Sequence, residues 1–107
     1  MAVLENHITQ TMTHFGDHCY HWDVVNEAFD DDGTWRNDIW YNVSGPSYID
    51  VAFRTASKVK KDLGLSVKLY YNDYNIEYNG VKSQMANALV RNLTAAGIEI
   101  DLSLIHI

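Results

Sequence analysis

Trp22-Asp23-Val24-Val25-Asn26-Glu27 closes a short aromatic and β-branched run that begins near Cys19 and ends in an amide and a carboxylate. Such a run suits a buried strand over residues 19–25 that stops at Asn26 and Glu27. A period of two sets Asp23, Val25 and Glu27 on one side of it. On its N-terminal side Val3, Leu4, Ile8, Met12 and Phe15 recur at helical spacing, and Gly16 follows where a left-handed residue is favoured. On its C-terminal side the turn formers of 30–33 and 42–46 make a long loop. Ser47, with Asp50 three residues on, reads as a helix start, and Ala52, Phe53, Ala56, Val59 and Leu63 keep an apolar stripe up to Gly64. Residues 66–72 read as a second strand and Asn79-Gly80 as a turn. Val81, Met85, Ala88, Leu89 and Leu93 form another stripe that ends at Gly97, and residues 98–101 begin a third strand. Helix and strand alternate three times, which is the pattern of an α/β protein with a parallel sheet and right-handed crossovers. Periodicity alone allows either a doubly wound sheet or a barrel.

The net charge of −6 over 107 residues argues against a nucleic-acid partner, because phosphate binding relies on clustered Lys and Arg. No apolar run reaches membrane-spanning length, and Glu5 and His7 stand where a signal peptide would need an apolar core. Cys19 is the only cysteine, so an internal disulfide is excluded and a buried thiol in the strand is expected. The sequence carries neither an internal repeat nor a low-complexity linker.

An amide beside a carboxyl group at a strand end is a pairing that sugar hydrolysis uses. Glycosidases commonly work with two carboxyl groups, one of which stays protonated to hand a proton to the leaving glycosidic oxygen. Glu27 fits that acid. Alone, an Asn-Glu dipeptide says little, since most glutamates are solvated surface groups. Two longer stretches say more: WDVVNEAF from Trp22 to Phe29 and LYYNDYNIE from Leu69 to Glu77 resemble, in the right order, two signatures of glycoside hydrolase family 10, the endo-β-1,4-xylanases.

That resemblance runs from about residue 3 to residue 101 and implies a (β/α)8 barrel, which typically needs about 250 residues. The chain is therefore expected to be a partial barrel of about three parallel strands with alternating helices, residues 1–101 forming an internal segment of the catalytic domain. The resemblance implies that Glu27 is the general acid that later activates water as a base, and that Asn26 holds the 2-hydroxyl of the sugar being cleaved. It implies that Tyr74 offers an aromatic face to the leaving-group sugar, flanked by the amides of Asn72 and Asn75. Tyr70 and Tyr71 are expected to pack around the sheet, and Trp22 and Asp23 to be structural. The missing nucleophile is expected after Ile107. The parent protein is accordingly expected to be a secreted retaining xylanase acting on xylan or xylo-oligosaccharides, with no cofactor, metal or protein partner implied and with this segment alone inactive. The alternative is a non-catalytic carbohydrate-binding fragment resting on Asn26 and Tyr74.

Three further features carry less. His14, His18 and His21 have spacings that suggest zinc on a continuous helix, which Gly16 and the expected strand interrupt. Asp30-Asp31-Asp32-Gly33 lacks the spacing and terminal Glu of a calcium loop and reads as solvated. Asn42-Val43-Ser44 and Asn92-Leu93-Thr94 are glycosylation sequons, meaningful in a secreted parent. After Asp101 the resemblance stops. Residues 102–107, Leu-Ser-Leu-Ile-His-Ile, can be encoded by CTG TCT CTT ATA CAC ATC, the end sequence of a transposon adaptor, so a non-native tail is expected there and His106 inherits no family role.

Overall fold

The structure, a computed structural model, describes residues 2–30, 32–74 and 80–105, and gives the backbone alone at 74 and 101–105. Four α-helices and three strands follow one another: α1 (Ala2–Phe15), a 3-10 turn (Gly16–His18), β1 (His21–Asn26), α2 (Ile39–Ser44), α3 (Ser47–Leu63), β2 (Lys68–Tyr74), α4 (Val81–Ala95) and β3 (Asp101–Ile105). The strands form one parallel sheet in the order β1-β2-β3. Because both pairings are parallel, with crossover helices after β1 and β2, all three C-terminal strand ends lie at one end of the sheet.

Amphipathic spacing explains the first and third helices. Leu4 and Met12 are buried on α1 and Ile8 packs beside them, whereas Val3 and Phe15 of the expected stripe are exposed. On α3 the stripe Ala52, Phe53, Ala56 and Val59 is buried as the period requires, whereas Leu63 at its end is exposed. Gly64 ends it in the left-handed conformation, and its N–H returns to the last carbonyls. The helix start differs from expectation: Pro46 occupies the cap with no side-chain bond, Ser47 Oγ donates back to Ser44 O, and Asp50 pairs with Arg54 at 2.8 Å.

Several expected boundaries move. β1 starts at His21, and Cys19, outside it, is exposed and not a buried thiol. The long loop holds a short helix, α2, which begins where Asp38 Oδ1 accepts from Tyr41 N at 2.8 Å; six residues are too few to display a helical period. β2 starts at Lys68 and runs past 72, and β3 starts at 101 and not at 98. On α4 the buried face is Lys82, Ala86 and Leu93, with Val81 and Ala88 exposed, so the apolar stripe is rotated to admit a lysine. At the turn before it, Asn79 lies outside the described residues, and Gly80 is held by a two-way exchange with the Ser83 hydroxyl.

The main core lies between the sheet and the helices α1 and α3, which pack on one another. Leu69, Tyr71 and Asp73 alternate along β2 and are each 0% exposed, so they share the covered face. Tyr70 and Asn72 occupy the other. The Asp17 carboxylate accepts from Ser66 N and Val67 N at 3.0 and 2.9 Å, which fixes the entry to β2.

Candidate active site

Glu27 stands one residue beyond β1, and its backbone adopts φ +52°, the only positive φ among the described non-glycine residues. Residues other than glycine reach that region at a cost of about 1–2 kcal/mol, so surrounding bonds must hold it. They come from three directions. Glu27 N donates to Asn72 O at 2.7 Å across the sheet. Arg36 Nε donates to Glu27 O at 2.7 Å, and its Nη2 to Phe29 O at 3.2 Å. The next amide, Ala28 N, donates to the Tyr71 hydroxyl at 3.1 Å.

Arg36 arrives there because the chain after Glu27 doubles back. Arg36 N donates to Ala28 O, Asp30 N to Thr34 O, and Phe29 and Trp35 form an antiparallel bridge with their rings in tilted contact. Gly33 makes the reversal at φ +85°, and an added Cβ there would meet Val81 Cγ1 at 2.3 Å. Asp32 closes the same turn by accepting from Thr34 N at 3.0 Å and Thr34 Oγ1 at 2.6 Å, which lowers its carboxyl below the ordinary value. Asp32 is thus a turn-former; Asp31 lies outside the described residues.

Asn26 pairs with Asn72 in the strand register, and Asn72 Nδ2 donates to Asn26 Oδ1 at 2.7 Å. The two amides therefore stand side by side next to Glu27, at the C-terminal ends of β1 and β2. Tyr74 ends β2 beyond them, its side chain outside the described residues, as is Asn75 altogether. The structure thus brings together three of the five expected residues.

The expected alternation along β1 fails at one point. Asp23 pairs with Tyr70 but Val25 pairs with Tyr71, so Val24 is an extra residue and the strand bulges. Tyr70 and Tyr71 occupy opposite faces, and so do Asp23 and Val25. His21 bonds Asp23 at 3.2 Å and stacks on Tyr70 at 4.4 Å, which gives that histidine a role in the strand face. Among the described residues no three His, Cys, Asp or Glu side chains converge as metal ligands.

Beneath Glu27, on the covered face, lies a group that sequence reasoning missed. Tyr71 Oη donates to Asp73 Oδ2 at 2.5 Å, and Lys82 Nζ pairs with Asp73 Oδ1 at 3.0 Å, both charged side chains being 3% exposed or less. Burial first, then the Asp73 bond and charge, push the Tyr71 phenol far above its ordinary value, so it keeps its proton. The alternation of Leu69, Tyr71 and Asp73 was available as a signal, but a buried Lys82 on α4 was not.

The xylanase of Bispora sp. MEY-1, solved with xylobiose, is 53% identical and superposes with a TM-score of 0.92 over 96% of this chain and 32% of its own. The endo-1,4-β-xylanase of Penicillium canescens is 48% identical, with a TM-score of 0.92 over 96% of this chain and 31% of its own. Endo-1,4-β-xylanase 2 of Aureobasidium pullulans is 42% identical over 101 residues, which make up 94% of this chain and 27% of that protein. The chain thus spans about a quarter of the length of its curated relatives and about a third of the solved structures. Three parallel strands and their helices are accordingly part of a (β/α)8 barrel, whose working residues stand at the C-terminal strand ends where Asn26, Glu27 and Asn72 are found. Residues 1–102 match Glycosyl hydrolase family 10, and the chain belongs to that family.

Proposed function

We propose that this chain supplies the acid/base half of the active site of a retaining endo-1,4-β-xylanase that cleaves internal bonds of xylan. The observation that carries the reading is Glu27 at the end of a barrel strand, held in a left-handed backbone beside the Asn26–Asn72 amide pair. In this reading Glu27 protonates the leaving oxygen and then deprotonates water, while Asn26 bonds the 2-hydroxyl, with Asn72, Tyr74 and Asn75 on the leaving-group side. Retention requires a second carboxyl about 5–5.5 Å from the first. Asp73 cannot serve, being committed to Tyr71 and Lys82 on the opposite face. In this reading the nucleophile comes from outside this segment, and the 107-residue chain alone hydrolyses neither xylan nor aryl xylosides.

The test is Glu27→Gln in the complete enzyme that carries this segment. We expect kcat/KM on xylan to fall by about 10²–10⁴-fold, with a much smaller loss on a dinitrophenyl xylobioside, whose leaving group needs no proton. Equal activity of the variant and the parent on xylan sinks the assignment. Secretion of the parent and a non-native origin for residues 102–107 belong to the same proposal. The sequon residues Asn42 and Asn92 are both exposed, and the family match ends at residue 102. The genomic coding sequence tests both, by a leader ahead of this segment and by residues other than Leu-Ser-Leu-Ile-His-Ile after Asp101.

A further inference from the structure

We infer that Tyr71, backed by the buried Asp73–Lys82 pair, is a positioning residue that sets where the Glu27 carboxyl stands; the inference rests on the acid/base reading of Glu27. Two backbone amides bracket the Glu27 Cα, its own N–H and that of Ala28. Both are bonded to β2, the first to Asn72 O at 2.7 Å and the second to Tyr71 Oη at 3.1 Å. With φ at +52°, rotation of either peptide swings the side chain away from the amide pair. The first bond is an ordinary strand contact. The second depends on one side chain alone.

That side chain is held with a single polarity. Asp73, as a carboxylate, only accepts, and Lys82 only donates. The Tyr71 proton must therefore point at Asp73 Oδ2, 2.5 Å away, which leaves an oxygen lone pair turned to Ala28 N–H. Lys82 occupies Asp73 Oδ1, so the carboxylate cannot rotate away from the phenol. The order Lys82, Asp73, Tyr71, Ala28 thus runs from α4 through β2 to the residue after Glu27. Apolar side chains of similar volume would fill the same space at no loss of stability, because desolvating an ion pair cancels most of its attraction. What apolar groups could not supply is a directed acceptor for Ala28 N–H. Proton transfer tolerates little displacement of the acid, so an acceptor at that point acts on the chemical step.

The deciding measurement is leaving-group dependence in the complete enzyme, with Tyr71→Phe compared on phenyl and dinitrophenyl xylobiosides. A displaced acid slows the substrate whose leaving group needs protonation and spares the other. We expect kcat/KM to fall by about tenfold or more on the phenyl substrate and by less than about twofold on the dinitrophenyl one. Equal losses on both, as general loosening of the fold would give, overturn the inference, and so do unchanged values on both. Should Tyr71→Phe fail to fold, Asp73→Asn, which keeps the phenol and the volume, is read by the same ratio. Glu27→Gln run alongside separates the two ideas. If it shows no selective loss, the acid/base reading falls; if it does while Tyr71→Phe shows none, only the positioning role falls.

Discussion

At the scale of single residues, the site depends on backbone positions that few side chains tolerate. Glu27 occupies a left-handed backbone because Arg36 holds its carbonyl and β2 holds its amide, while Gly33 makes possible the reversal that delivers Arg36. Gly33→Ala adds a Cβ at φ +85° and 2.3 Å from Val81 Cγ1, on a β-branched side chain with little freedom to retreat. In the complete enzyme we expect a loss of about 1–3 kcal/mol in stability, measured as a lower denaturant midpoint, because the left-handed penalty and the clash add. An unchanged midpoint would show that the loop shifts freely. Activity should fall further than stability does, since the same loop carries the guanidinium that braces Glu27.

At the scale of elements, two tyrosines join packing to acid–base behaviour. Burial, followed by the nearby Asp38, raises the Tyr48 phenol of α3; burial and Asp73 raise that of Tyr71 in β2. A phenol whose folded value lies above its unfolded one contributes stability in full below the ordinary value of 10.0. That contribution is lost as pH rises beyond it, because only the unfolded chain then sheds the proton. Midpoints of the complete enzyme measured from pH 8 upward should therefore be flat to about pH 10 and then fall, and Tyr48→Phe should flatten the fall. A slope unchanged by that variant places the alkaline sensitivity elsewhere.

The same elements show what the sequence disclosed. Apolar periodicity located α1 and α3, and the two motifs located Asn26, Glu27 and Asn72 at strand ends. α2 was hidden because its six residues show no period, and only the Asp38 cap marks it. The face of α4 differs from the one its apolar spacing indicates because Lys82, of a residue type seldom buried, turns inward to a partner that pattern reading does not see. Cys19 reads as a strand residue in the sequence because its aromatic neighbours continue the run, whereas the ladder starts at His21.

At the scale of the whole molecule, β1 and β3 are edges of a three-stranded sheet, and the helices cover one of its faces. Among the described residues, large apolar side chains stand open to solvent, Val43 at 78% and Ile39 at 69%. In a closed barrel neither edge exists, and the uncovered face is filled by layers of inward side chains. Taken alone, the 107-residue chain is expected to bind a hydrophobic dye strongly and to associate through its edges. Dye fluorescence and sedimentation check this, and a monodisperse monomer with a sharp cooperative melt is the result that contradicts it.

The extra residue in β1 makes the faces along the strand that leads to Glu27 a matter of odd and even counting. From Asp23 to Asn26 the strand takes three steps while its partner, from Tyr70 to Asn72, takes two. An odd number of steps along β1 thus reaches the same face that an even number reaches along β2. Deleting Val24 leaves every group at the strand end chemically intact and restores equal counts without turning any side chain over: Asp23 and Val25 then alternate as Tyr70 and Tyr71 do, and the amide and carboxyl keep their face. A loss of activity in that variant of the complete enzyme would therefore belong to the local path of the bulged backbone, and not to parity or to chemistry.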